Sequence, residues 1–89
     1  MAQIVSSFGI TVRQLREAKG WSQEVLAERA NLNRSYVGEL ERGQAIPSLV
    51  TLEKLGQALG VSLSNLLAHT ERITQTQTVK GLDLTSIAC

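Results

Sequence analysis

The residues with chemistry to offer lie close together, in residues 33–44, NRSYVGELERGQ. Val37 and Leu40 stand three apart, which puts them on one side of a helix. Arg34, Ser35, Gly38, Glu39 and Arg42 then fall on the other side. That side is polar and carries two arginines. The planar fork of Arg34 can donate two hydrogen bonds at once, as to O6 and N7 of a guanine. Ser35 is adaptable and gives little selectivity alone. Glu39 could accept from cytosine N4, or orient Arg34. Gly38 costs about 1 kcal/mol relative to alanine in a helix interior, so another surface is expected to approach the backbone there. This is recognition chemistry rather than catalysis. The chain has no Ser/His/Asp or Cys/His set, no phosphate-cradling glycine loop and no metal-ligand spacing. His69 and Cys89 are each the single residue of their type and make no metal cluster. No enzyme activity, cofactor or metal is expected.

Two short helices and a tight turn, within residues 22–43, would position these side chains. Ser22 is an N-cap, whose hydroxyl accepts from a free amide one turn in. Trp21 before it and Leu26 inside it can meet as a hydrophobic staple. Ala27 is small enough for a second helix to cross closely. Asn31 sits where the first helix must stop, and asparagine tolerates a left-handed backbone. Leu32, Asn33 and Val37 repeat the staple and cap for the second helix, which Gly43 ends. A helix cradled by another, with a donor-rich outer face near its N-terminus, is the geometry that enters the major groove of double-stranded DNA. Three jobs follow: holding phosphates, reading bases, pairing two copies. Gln23, with free amides beside it, could hold a phosphate. Asn33 caps and could touch the backbone. Arg42, Gln44 and Ser48 could clamp the far strand. Tyr36 is expected to be partly buried, beside the first of the two helices or on sugar-phosphate.

The rest of the chain reads as support. Phe8, Val12 and Leu15 stand at i, i+4 and i+7, an amphipathic helix that Gly20 stops. Residues 1–7 read as a frayed arm, or as an extension through Ile4 and Val5 that covers the core. Pro47 bars helix before it, and Ser48 caps the next one, built on Leu49, Leu52, Leu55 and Leu59 and ended by Gly60. Gly56 is expected to admit a neighbouring helix. Ser62 caps a short fifth helix carrying Leu63, Leu66 and Leu67, where spare leucines could pair two copies. From residue 70 to 89 the composition turns to threonine and glutamine, with alternation of period two. The expectation is a tail, disordered or forming a β-extension.

Four sequence words in register carry a resemblance to a known family: SQEVLA, LNRSYVGELERG, Pro47-Ser48 and LEKLGQALGVS. Over residues 15–68 the chain resembles the lambda-repressor-like, XRE-type helix-turn-helix family. The resemblance implies an all-α, five-helix DNA-binding domain over residues 8–69. It implies a structural pair in which Arg16 meets Glu41 and locks the first helix onto the third. It also implies a transcriptional regulator, often a repressor. Small stand-alone members include controller proteins of restriction–modification systems, and antitoxins are another reading. One recognition helix covers few base pairs, so a homodimer on a pseudo-palindromic operator is expected.

Composition bounds these readings. Eighty-nine residues make one small domain, with 43% hydrophobic and only 3% aromatic residues, hence an aliphatic core. No run approaches the roughly 18 apolar residues of a membrane span. No basic stretch followed by an apolar one marks a secretory signal. A lone cysteine forms no intramolecular disulfide, and a reducing cytoplasm fits. No small-molecule ligand is evident. The net charge is only +1, and the isoelectric point of 7.9 falls below the value of about 9 common in nucleic-acid-binding domains. Binding driven by charge alone is thereby disfavoured. The same weak charge, with Glu39 on the reading face, favours an alternative: a protein-interaction module that uses this fold without DNA.

Overall fold

The computed structural model describes residues 3–81, with side chains to residue 76. Five helices follow in order: α1 (Gln3–Ala18), α2 (Gln23–Ala30), α3 (Arg34–Glu41), α4 (Leu49–Leu59) and α5 (Leu63–Gly81). The fold is all-α, and no strand occurs among the described residues.

Local signals set the helix ends. Ser22 accepts from Val25 N, Asn33 from Ser35 N, and Ser48 from Thr51 N. Ser62 accepts from Asn65 N in the same way at the start of α5. Each bond satisfies an amide that the helix itself leaves unpaired. Asn31 stops α2 in the left-handed region, at φ 55°. Leu32 N then bonds back to Ala27 O, and Asn31 N to Glu28 O, which closes the last carbonyls. Gly43, at φ 72°, closes α3 similarly, with Gln44 N on Glu39 O at 2.8 Å.

Leu26, Val37, Leu40, Leu55 and Leu66 meet in one aliphatic core with Phe8 and Val12. Ala27 and Ala30 are also buried there, so α2 and α3 can cross closely. Gly56 lies under the Val61 carbonyl of the following turn, 2.9 Å from where a Cβ would stand. Its bareness therefore admits a loop rather than a neighbouring helix.

Three further expectations are corrected. First, the frayed arm over residues 1–7 gives way to the alternative extension through Ile4 and Val5: the chain is helical from Gln3 onward, with Val5 and Ser7 buried. Its Ser6 packs on Gly43, so α1 covers the end of α3. Second, residues 70–81 continue α5 and form neither a disordered tail nor a β-extension there. Two of the threonines in the strand-like alternation, Thr74 and Thr76, bond back along the helix instead, as does Thr70 before them. Thr70 Oγ1 donates to Leu66 O, Thr74 Oγ1 to Thr70 O and Thr76 Oγ1 to Arg72 O. Buried Thr70 also meets buried Thr11 of α1, with 2.9 Å between hydroxyl oxygens. That contact anchors the helix where the sequence changes character. Residues 82–89, including Cys89 and the expected return of the chain, lie outside the described residues. Third, Leu66 is fully buried in the core, so it cannot join a pairing surface with Leu63 and Leu67.

Candidate nucleic-acid interface

Helix α3 is held by its apolar side. Val37 and Leu40 are fully buried, and Asn33 fixes the first turn by accepting from Ser35 N at 2.8 Å. Rotation about the helix axis is thereby set. Arg34, Ser35, Glu39 and Arg42 are left exposed on the opposite side. The two-arginine surface is open to solvent in the single chain rather than folded into its core.

A buried ion pair locks this helix to the other two. Arg16 Nε donates to Glu41 Oε2 at 2.7 Å, and Nη2 to Oε1 at 3.0 Å. Arg16 Nη1 donates to Trp21 O at 2.8 Å, reaching the turn between α1 and α2. The two side chains are only 12% and 4% exposed. The hydrogen bond to Glu41 is the main reason that the Arg16 guanidinium is held above its ordinary pKa. The indole of Trp21 carries both Lys19 and Arg29, whose cationic centres stand 5.3 and 4.7 Å from the ring centroid.

Gln23 belongs to the same network. Its Nε2 donates to Glu41 Oε1 at 3.0 Å, and the residue is half-buried. Its side-chain amide is therefore only partly available for the phosphate role expected of it. One amide hydrogen is committed to Glu41, and the second remains for another acceptor. The reason is tertiary: α3 brings a carboxylate to the first turn of α2.

Other residues also find inward partners. Tyr36 is half-buried as expected, but it leans toward α4 rather than α2, with its hydroxyl 3.3 Å from Thr51 Oγ1. Ser48 spends its hydroxyl twice, accepting from Thr51 N and donating to Thr51 Oγ1. Thr51 was not singled out in the sequence. Its place three residues after the Ser48 cap was the available signal. Gly38 is not open floor for an incoming surface, because the side chains of Arg42 and Gln23 lie beside it. Arg42 Nε donates to Gln44 Oε1 at 3.0 Å, so these two exposed residues act as one unit.

A second surface is apolar. Leu63 and Leu67 are each 39% exposed, and Ile46 and Leu49 reach 71% and 74%. A groove of about 170 Å³ opens between α1, the loop before α4, and α5, with Ile4, Phe8, Ile46 and Leu67 on its walls. Among the described residues no group of His, Cys, Asp and Glu could hold a metal ion, and no helix is long and apolar enough to cross a membrane.

The chain matches a family model described as Helix-turn-helix over residues 12–66. It is 45% identical over 64 residues to the control protein C.BamHI of Bacillus amyloliquefaciens, spanning 71% of this chain and 79% of that one. It resembles the crystal structure of the restriction–modification controller protein C.AhdI from Aeromonas hydrophila, at 50% identity and a TM-score of 0.68, over 70% of this chain and 94% of that one. It also resembles the controller protein C.Esp1396I, solved as a tetramer in complex with its natural 35-base-pair operator. That match has 25% identity, a TM-score of 0.78, and covers 84% and 99% of the two chains. The chain spans less than half the length of two other curated relatives, 48% and 42%, both of them regulators by name.

Proposed function

The chain belongs to the helix-turn-helix family, and from that premise we propose that it is a sequence-specific transcriptional regulator that binds a pseudo-palindromic operator as a homodimer. The observation that carries this reading is the setting of α3, with Val37 and Leu40 sealed below and Arg34, Ser35, Glu39 and Arg42 open above. Arg34 reads a guanine edge, and Ser35 and Glu39 contact neighbouring bases. Arg42, Gln44 and the second amide hydrogen of Gln23 hold phosphates. Asn33 and Ser48 keep the adjoining helix starts in shape. Tyr36 and Gly38 support the face from within.

Pairing uses Leu63 and Leu67 with the exposed apolar side chains Ile46 and Leu49. The likeness to C.AhdI and C.BamHI favours a controller protein of a restriction–modification system, acting as repressor or autoregulator. The operator-bound tetramer of C.Esp1396I supports repeated copies of the fold on one duplex. The lack of a membrane-crossing helix among the described residues is consistent with a cytoplasmic protein. Glu39, unpaired and exposed on the reading face, favours the second reading of a protein-interaction module.

Selection of bound sequences from a random duplex pool tests the proposal. A pseudo-palindrome with half-sites about one helical turn apart supports it. No enrichment at low salt would favour the interaction module. Sedimentation showing a monomer both free and on DNA would remove the homodimer.

Two substitutions separate base reading from phosphate holding. Arg34→Ala is expected to cost about 1–3 kcal/mol on the selected duplex and to relax one base position. Titration against all single-base variants measures this. Equal losses on selected and scrambled duplexes would move Arg34 to the phosphate group. Arg42→Ala is expected to weaken both duplexes alike and to lower the salt slope by about 1. An unchanged slope would refute the clamp.

A further inference from the structure

Gly38 sits inside α3, where glycine is a poor helix former. What occupies the space of its absent side chain is specific. A Cβ placed there would stand 3.0 Å from Arg42 Nη1, 3.8 Å from Arg42 Cζ and 3.5 Å from Gln23 Oε1. The guanidinium of Arg42, one turn further on, is therefore folded back over the bare backbone of Gly38. Its Nε is held from the other side by Gln44 Oε1 at 3.0 Å. Gln44 is itself placed by the turn that closes α3, through its backbone bond to Glu39 O.

Arg42 is an exposed residue with a long side chain, and such a side chain ordinarily samples many rotamers until a partner fixes it. Here a floor and a latch restrict it before any partner arrives. The atom that crowds the Cβ position is the far end of a flexible side chain rather than backbone. Alanine at 38 therefore fits the fold, and the part that gives way is the guanidinium.

We propose that Gly38 is a positioning residue for Arg42: its bare backbone and the Gln44 carboxamide preset the Arg42 guanidinium on the DNA-facing side of α3, aimed at a phosphate. This rests on the DNA-binding reading above. It departs from the simpler idea that Gly38 lets the duplex approach the helix backbone. In that case alanine would obstruct DNA whatever stood at 42. If Gly38 acts through Arg42, alanine matters only while Arg42 is present.

The experiment is a double-mutant cycle on the full chain. The probe is the duplex that the wild-type chain recovers from a random pool, titrated across a range of salt concentrations. Gly38→Ala is expected to melt at the same temperature or higher. It is expected to weaken binding about threefold to tenfold, within the range for residues in contact, and to move the salt slope toward that of Arg42→Ala. In the Arg42→Ala background the same change is expected to alter affinity by less than about twofold, the usual limit of additivity, and to leave the slope alone. Equal losses from Gly38→Ala in both backgrounds would overturn the proposal in favour of direct crowding of DNA. A loss accompanied by a lowered melting temperature would overturn it in favour of packing. Wild-type protein that enriches no duplex would sink the DNA-binding reading itself, a result distinct from a failed cycle on a duplex that the wild type binds.

Discussion

Arg16→Ala is expected to destabilise the domain by about 3 kcal/mol, within the range for breaking a buried ion pair by removing one partner. The argument starts from what would be left behind. Glu41 is 4% exposed, and without Arg16 its Oε2 loses its donor while Oε1 keeps only Gln23. A carboxylate so placed keeps one neutral donor and has no counter-charge. Trp21 O loses its donor as well. Thermal or urea melts measure the loss. Replacing both partners, Arg16→Met with Glu41→Leu, is expected to cost much less than the single change, because no charge is then stranded. A double variant as unstable as Arg16→Ala would show that the pair is worth more than its geometry indicates. The pH behaviour has a definite sign. The folded-state pKa of Arg16 is raised, so its contribution is complete below the unfolded value and is lost only as pH rises through the higher folded one. Across the neutral range the Arg16 charge is therefore constant.

How much of this was legible depended on how far a signal reached along the chain. Ser22, Asn33, Ser48 and Ser62 each cap a helix through a bond to an amide two or three residues on. Such bonds need only local sequence, so the five helices and the starts of the last four could be read, while the start of α1, which has no such cap signal, was placed too late. The side of α3 that faces the core followed from the spacing of Val37 and Leu40. Arg16 and Glu41 lie 25 residues apart, and family resemblance rather than spacing paired them. Nothing local marks that Gln23 turns its amide toward Glu41, 18 residues away. That Arg42, one turn on, covers Gly38 was open to a local reading, because residues four apart on a helix are neighbours. The stretch after residue 70 misled for a physical reason. Threonine favours strands when its side chain packs on a pleated surface, but its hydroxyl can instead bond back to the carbonyl four residues earlier. Thr70 is tied to Thr11 by a contact spanning 59 positions, and no short window contains it. Leu66, Leu63 and Leu67 show the same limit: a stripe of leucines is visible in the sequence, but which of them reaches the core depends on where α1 lies.

Gly9→Ala is expected to destabilise the protein by about 2–3 kcal/mol, the upper part of the range for overpacking a core. Gly9 is buried in α1, and no motif points to it. A Cβ there would collide with Leu40 O and would stand 2.6 Å from Glu41 O. Both are backbone oxygens at the end of α3, and neither can swing away as a side-chain tip can. Helix propensity alone predicts the opposite sign, a gain of about 1 kcal/mol from glycine to alanine. The collision outweighs it because relief requires α1 and α3 to separate. Separation would pull Arg16 from Glu41 and loosen the Ser6–Gly43 contact, since all three contacts lie along the same crossing. Heat denaturation of wild type and variant decides the matter: a fall of roughly 8–24 °C follows from the usual conversion for a domain of this size. Equal or higher stability for Gly9→Ala would mean that α1 does not sit this close to the end of α3. The Arg16–Glu41 lock drawn from that closeness would then need direct proof by its own cycle. If stability falls while an uncharged stabilising osmolyte such as sucrose restores full affinity for the selected duplex, the crossing serves the fold, and the exposed face of α3 keeps its shape whenever the fold is present.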